Sequence, residues 1–154
     1  MLNNNELFSL EFENALNLFV EDNFIYVVCG CDLFCYDHNG EEQYVNHCSA
    51  LIECITSTTV KGVREVVVGL NDLNMIRYRG VNIALDYGKI VGTPTSICWI
   101  GDGVLVGTQE GTVAFYESKK SKWKAKSHHS VFKVFVYYSE NNELAIIGRK
   151  DGLV

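Results

Sequence analysis

Proline occurs once in this chain of 154 residues, which leaves no room for a Pro-rich linker dividing it. The longest uninterrupted apolar run, Phe24 to Cys29, is far short of the ~20 residues a membrane helix needs, so direct membrane insertion is not expected. Met1 to Phe8 has no basic stretch followed by an apolar core, so a secretory leader is not expected either. There is no Asn-x-Ser/Thr glycan acceptor. Basic residues are in deficit: 13 Lys and Arg face 19 Asp and Glu, a formal net charge of −6. That balance argues against a general nucleic-acid binder. Without an export signal, the six cysteines are expected to be reduced thiols in a cytoplasmic setting.

Signatures of catalysis are lacking as well. Gly101-Asp102-Gly103 with Gly107 misses the dinucleotide fingerprint by one residue and precedes no helix. Gly88-Lys89 lacks the upstream glycine and the following Ser or Thr of a phosphate loop. No G-x-S-x-G and no H-E-x-x-H occurs. Ser139-Glu140-Asn141-Asn142-Glu143 lacks the Asp ligands and the glycine of a calcium loop and reads as a polar hairpin. The chain is therefore read as a non-enzyme, with no cofactor.

What is present is repetition. At 47% hydrophobic and 21% charged the chain can bury a core. An apolar strand ending in glycine recurs as Val27-Val28-Cys29-Gly30, Val66-Val67-Val68-Gly69, Val104-Leu105-Val106-Gly107 and Ala145-Ile146-Ile147-Gly148. The glycines stand 39, 38 and 41 residues apart, close to the period of propeller blades. An apolar stretch precedes the later copies, as in Ala50 to Ile55, Ser96 to Ile100 and Val131 to Tyr138. A strand ending in an aromatic follows the first three, as in Leu33 to Tyr36, Met75 to Tyr78 and Thr112 to Tyr116. A fourth, more polar strand follows in two copies, Asn82 to Leu85 and Lys122 to Lys126. Asn39-Gly40, Asp102-Gly103, Glu110-Gly111 and Asp151-Gly152 supply turns. Glu11 to Phe19 fits either a helix or a strand with a turn.

These patterns predict an all-β fold: a partial β-propeller of about three to four WD40-like blades in an incomplete arc. Residues 1–154 read as one domain, with blades near 1–48, 50–89, 95–127 and 130–154. The first is expected to be partial and the fourth to stop in its third strand. Because propellers close with ~4–8 blades, the chain looks like a piece of a larger propeller.

Lys119, Lys120, Lys122, Lys124 and Lys126 form the densest charge cluster. Two readings fit. They could face an anionic partner, or they could be an outer strand whose lysines discourage edge pairing. On a strand, Lys122, Lys124 and Lys126 share one face, while Trp123 and Ala125 take the other. Gly30, Gly69, Gly107, Gly148 and Trp123 are candidate structural positions of the repeat, with Trp123 expected in the core between blades. Cys29, Cys31 and Cys35, with His38, His47 and Cys48, match no usual zinc spacing. His128 and His129 are adjacent and would point to opposite faces of a strand. No metal site is expected.

Read in order, these stretches resemble the Bardet–Biedl syndrome 2 family of BBSome coat subunits, in its N-terminal propeller. Gly111-Thr112-Val113-Ala114-Phe115-Tyr116, followed by Lys122-Trp123-Lys124-Ala125-Lys126-Ser127, is similar to the family's G-T-V-x-V-Y and W-R-I-K-S-K-like strands. Asn142-Glu143-Leu144 with Ile147-Gly148 and Asp151-Gly152 resembles its next blade. Val66 to Gly69 with Asp72 and Ile76-Arg77 resembles the preceding one. Cys35 to Gly40 and Asn4 to Phe8 resemble segments earlier still. The family has an Asp/Gly-rich turn where this chain has Thr56 to Gly62, so a cation site is not carried over. The resemblance implies a non-enzymatic scaffold or adaptor in a coat that traffics ciliary membrane proteins. Partners would be other BBSome subunits, notably the Bardet–Biedl syndrome 7 protein, and ciliary membrane cargo tails. Localisation would be cytoplasmic, at the cilium and its membrane and at the basal body. Family regions used for subunit pairing are expected beyond Val154. The alternative reading is a generic WD40-like scaffold of another cytosolic complex.

Overall fold

The computed structural model describes residues 9–15, 17–21, 23–140 and 142–152. Among them lie fourteen strands and no helix. The first sheet holds β1 (Asn17–Glu21), β2 (Phe24–Cys29), β3 (Asp32–Asp37) and β4 (Glu42–His47). The second holds β5 (Ile52–Val60), β6 (Val63–Leu70), β7 (Asn74–Arg79) and β8 (Asn82–Lys89). The third holds β9 (Pro94–Ile100), β10 (Gly103–Thr108), β11 (Thr112–Tyr116) and β12 (Ser121–Lys126). The last is a pair, β13 (Val131–Ser139) and β14 (Asn142–Arg149). Every pairing is antiparallel and joins strands adjacent in sequence, the meander of a propeller blade.

One expectation needs correction. The first sheet is not partial, because β1 pairs with β2 from Asn17↔Val28 to Glu21↔Phe24 and β4 closes its outer side. β1 was obscured by the ambiguous spacing of Glu11 to Phe19. β4 was missed because Glu42-Gln43-Tyr44-Val45-Asn46-His47 is too polar to stand out as a strand.

Period-two alternation builds the core. In β6, Val66 and Val68 face the first sheet, against Tyr26, Leu33 and Cys35. Val67 faces the third sheet, against Val104 and Val106. In β10 the parity repeats, and Leu105 packs on Val131 and Val134 of the last sheet. Strands covered on both faces read as continuous apolar runs, and the three valines of β6 and Val104 to Val106 of β10 are at most 1% exposed.

Three of the repeated glycines, Gly30, Gly69 and Gly107, sit where one sheet meets the entry of the next. A Cβ on Gly69 would lie 2.9 Å from the Pro94 ring. One on Gly107 would lie 2.5 Å from Val131. At Gly30, in the turn after β2, the neighbour is Leu51 at 3.8 Å, and its φ of +62° is itself one that favours glycine. Backbone bonds repeat alongside: Asn71 N–H donates to Leu51, Gln109 to Thr93 and Lys150 to Ser130, each to the carbonyl oxygen. The first strands of all four sheets converge, and Asn17, Glu53, Ser96 and Lys133 are among the residues lining a cavity of about 340 Å³ there.

Candidate interaction surface

β12 is the outer edge of the third sheet, hydrogen-bonded to β11 on one side only. It forms because Ser121-Lys122-Trp123-Lys124-Ala125-Lys126 alternates charged and apolar residues, the pattern of a half-exposed strand. Its register against β11 pairs Phe115 with Trp123, Ala114 with Lys124, Val113 with Ala125 and Thr112 with Lys126. Paired residues of an antiparallel ladder share a face. Lys124 and Lys126 therefore lie on the face of Ala114, which packs toward the second sheet. Trp123 and Ala125 lie on the face of Phe115 and Val113, which packs toward the last sheet. Lys119 and Lys120 occupy the exposed link from β11 to β12.

All five lysines are exposed. Lys122 Nζ lies 2.5 Å from Glu117 Oε2. Among the described residues, Lys119, Lys120, Lys124 and Lys126 have no carboxylate within ion-pair distance. The structure thus brings five cations together on one hairpin and neutralises one of them.

Trp123 departs from expectation. It stacks on Phe115 with ring centroids 6.2 Å apart, yet it is 47% exposed. It does point toward the last sheet. That sheet has only β13 and β14 among the described residues, so nothing covers the outer half of the third sheet on this side.

The cysteines and histidines do not converge. Among the described residues no group of three or more His, Cys, Asp or Glu could hold a metal ion. His47 Nδ1 lies 2.8 Å from Asp32 Oδ1, and His129 lies 3.6 Å from Asp151, which also pairs with Arg149. Burial pushes the Cys54 thiol up to about 12 and Cys98 up to about 11. Burial also raises Cys29, Cys35 and Cys48. Thiols held protonated in this way are poor nucleophiles and poor metal ligands.

One charged cluster escaped the sequence reading. Glu65 of β6 is 1% exposed and carries two arginines of β7. Arg79 Nε donates to Glu65 Oε1 at 3.0 Å, and Arg77 Nε lies 3.1 Å from Oε2. Arg77 also lies over the Trp99 ring of the third sheet, 5.6 Å from its centroid. A buried acid opposite Arg-x-Arg on the next strand was the available signal. The cluster ties two sheets together and has a structural role.

Comparison with known proteins adds to this geometry. The family model for the ciliary BBSome complex subunit 2, middle region, matches residues 53–154, well over half of the chain. The chain belongs to this BBSome subunit family. Several solved structures share its fold. One is a crystal structure of BBS1N in complex with ARL6DN, soaked with lead, at 10% identity and a TM-score of 0.70, covering 82% of this chain and 41% of that one. A second is the computationally designed Ika4 protein, at 16% identity and a TM-score of 0.75, covering 97% and 94%. A third is Sqt1 of Saccharomyces cerevisiae, at 12% identity and a TM-score of 0.70, covering 84% and 40%. Identities this low speak for the fold alone. No curated protein sequence matches the chain. The chain spans less than half the length of the BBS1N and Sqt1 chains.

Proposed function

We propose that this chain is part of the N-terminal β-propeller of a BBSome subunit, and that it works as a non-enzymatic scaffold in ciliary membrane-protein trafficking. The family match over residues 53–154 carries this reading. The fold supports it, because blades present edges and loops on a rigid frame and need no chemistry of their own. On this reading residues 1–154 are one domain with blades near 1–48, 50–89, 95–127 and 130–154. Gly30, Gly69, Gly107 and Gly148 serve the packing of the repeat. Partners are other BBSome subunits, the Bardet–Biedl syndrome 7 protein among them, and cargo tails. The protein works at the cilium, its membrane and the basal body without inserting in lipid. The lysines of β12 and the hairpin before it are the surface offered to an anionic partner.

The test is recovery of the tagged parent protein from ciliated cells, followed by quantitative mass spectrometry. Other BBSome subunits should co-purify. Reproducible recovery of an unrelated complex without them refutes the assignment and favours a generic WD40-like scaffold.

A further inference from the structure

The segment Glu117 to His129 carries five Lys and one Glu, whereas the chain as a whole is at −6. The charge of this hairpin is therefore opposite to that of the rest of the molecule. The other outer strands differ from it. β4 carries Glu42, and β8 carries Asp86 and Lys89. Among the described residues only β12 combines a one-sign set of charged side chains with an unpaired edge.

We propose that β12 is a docking edge for an extended partner segment of alternating acidic and apolar residues, which adds to the third sheet as a fifth strand. This rests on the scaffold reading above and names the occupant of its lysine surface. An edge strand offers half of its backbone N–H and C=O groups to a partner. Side chains two residues apart on one face stand ~6.5–7 Å apart, and a paired strand repeats that spacing. Acidic residues at every second position of an added strand would stand opposite Lys124 and Lys126, where the ladder is regular, with Lys122 next to them at the register shift of β12. The intervening residues would fall on the other face, beside the half-exposed indole of Trp123 and beside Ala125. Alternation in the partner thus matches alternation in β12.

The same features disfavour other occupants. A second copy of β12 would set lysine against lysine, so the edge resists self-pairing. An anionic membrane would leave the edge amides unpaired, and the negative charge on the rest of the chain opposes approach to such a surface.

The 154-residue chain is titrated into a fluorescein-labelled Glu-Val-Glu-Val-Glu-Val peptide and binding is read by fluorescence anisotropy. The alternating peptide should bind more tightly than its block isomer of three Val followed by three Glu. N-methylation at either the Val or the Glu nitrogens blocks the groups that face the edge in that phase, so one of the two peptides should lose binding. K124E/K126E should weaken binding by about tenfold or more, and K124Q/K126Q by less, with circular dichroism showing both variants folded. Added salt should shrink these differences. Equal binding of the block isomer, or of both N-methylated peptides, overturns strand addition. So does binding that survives K124E/K126E. Sedimentation with phosphatidylserine-containing vesicles, lost in K124E/K126E, together with no peptide binding assigns the surface to lipid and also overturns the proposal. In either case co-purification of the parent with BBSome subunits stands as a separate result, so failure of the edge does not remove the scaffold reading.

Discussion

β6 and β14 share one motif and have different surroundings. Both are apolar strands with a glycine near the end, and both pair with a preceding strand through the same kind of antiparallel ladder. In β6 the three valines are at most 1% exposed, because the first and third sheets cover both faces. In β14 only the face carrying Ile147 packs on the third sheet. On the other face Leu144 is 52% exposed, and Phe135 and Tyr137 of β13 are 46% and 55% exposed. Burial in this architecture comes from the neighbouring sheet and not from the strand, so one motif carries very different weight by position.

The sharpest test substitutes leucines. Leu105 of β10 is fully buried between the third and last sheets. Leu105→Ala should cost ~2–5 kcal/mol through lost transfer energy and the cavity it leaves. Leu144→Ala should cost ~0.5 kcal/mol or less, as for an exposed position. Urea unfolding followed by circular dichroism measures both. Equal losses would break the comparison and mean that the face of β14 bearing Leu144 is covered in solution.

The glycines repeat the contrast at smaller scale. A Cβ on Gly69 would meet the Pro94 ring and Cys54 Sγ at 2.9 Å, and the ring cannot swing aside. Gly69→Ala should cost ~1–3 kcal/mol by overpacking. On Gly148 the neighbour is the ring of Phe132 at 2.8 Å, and that side chain is 56% exposed and free to turn away. Gly148→Ala should stay within ~0.5 kcal/mol in the same assay.

Trp123 shows where sequence reading stops. Its place on a strand and its face were legible from alternation with Lys122 and Lys124. Its exposure was not, because that depends on whether the next sheet has outer strands to lay against it. The Gly-ended strands were legible because their period survives without any knowledge of contacts. The Glu65, Arg77 and Arg79 cluster was not, because charge in a strand ordinarily signals a solvated face. Trp123→Ala should cost ~1 kcal/mol, well below the ~3–5 kcal/mol of a buried tryptophan. A loss in the larger range would show that the indole is covered in solution.

The smallest effect is expected at the lysines. Reversing Lys119, Lys120 and Lys122 to Glu removes one ion pair, Lys122 with Glu117, whose side chains are 58% and 34% exposed. Exposed pairs of this kind are worth ~0–1 kcal/mol, because both ions keep most of their water and the side chains lose freedom in pairing. The reversal also sets a Glu beside Glu117, a repulsion that salt screens at such a surface. Stability should therefore fall by no more than ~1 kcal/mol at low ionic strength, and the difference should fade at high salt. The urea midpoint, measured at two salt concentrations, decides it. A loss above ~2 kcal/mol that persists in high salt would mean that these lysines hold the hairpin together, and the case for a surface kept free for an anionic partner would fall with it.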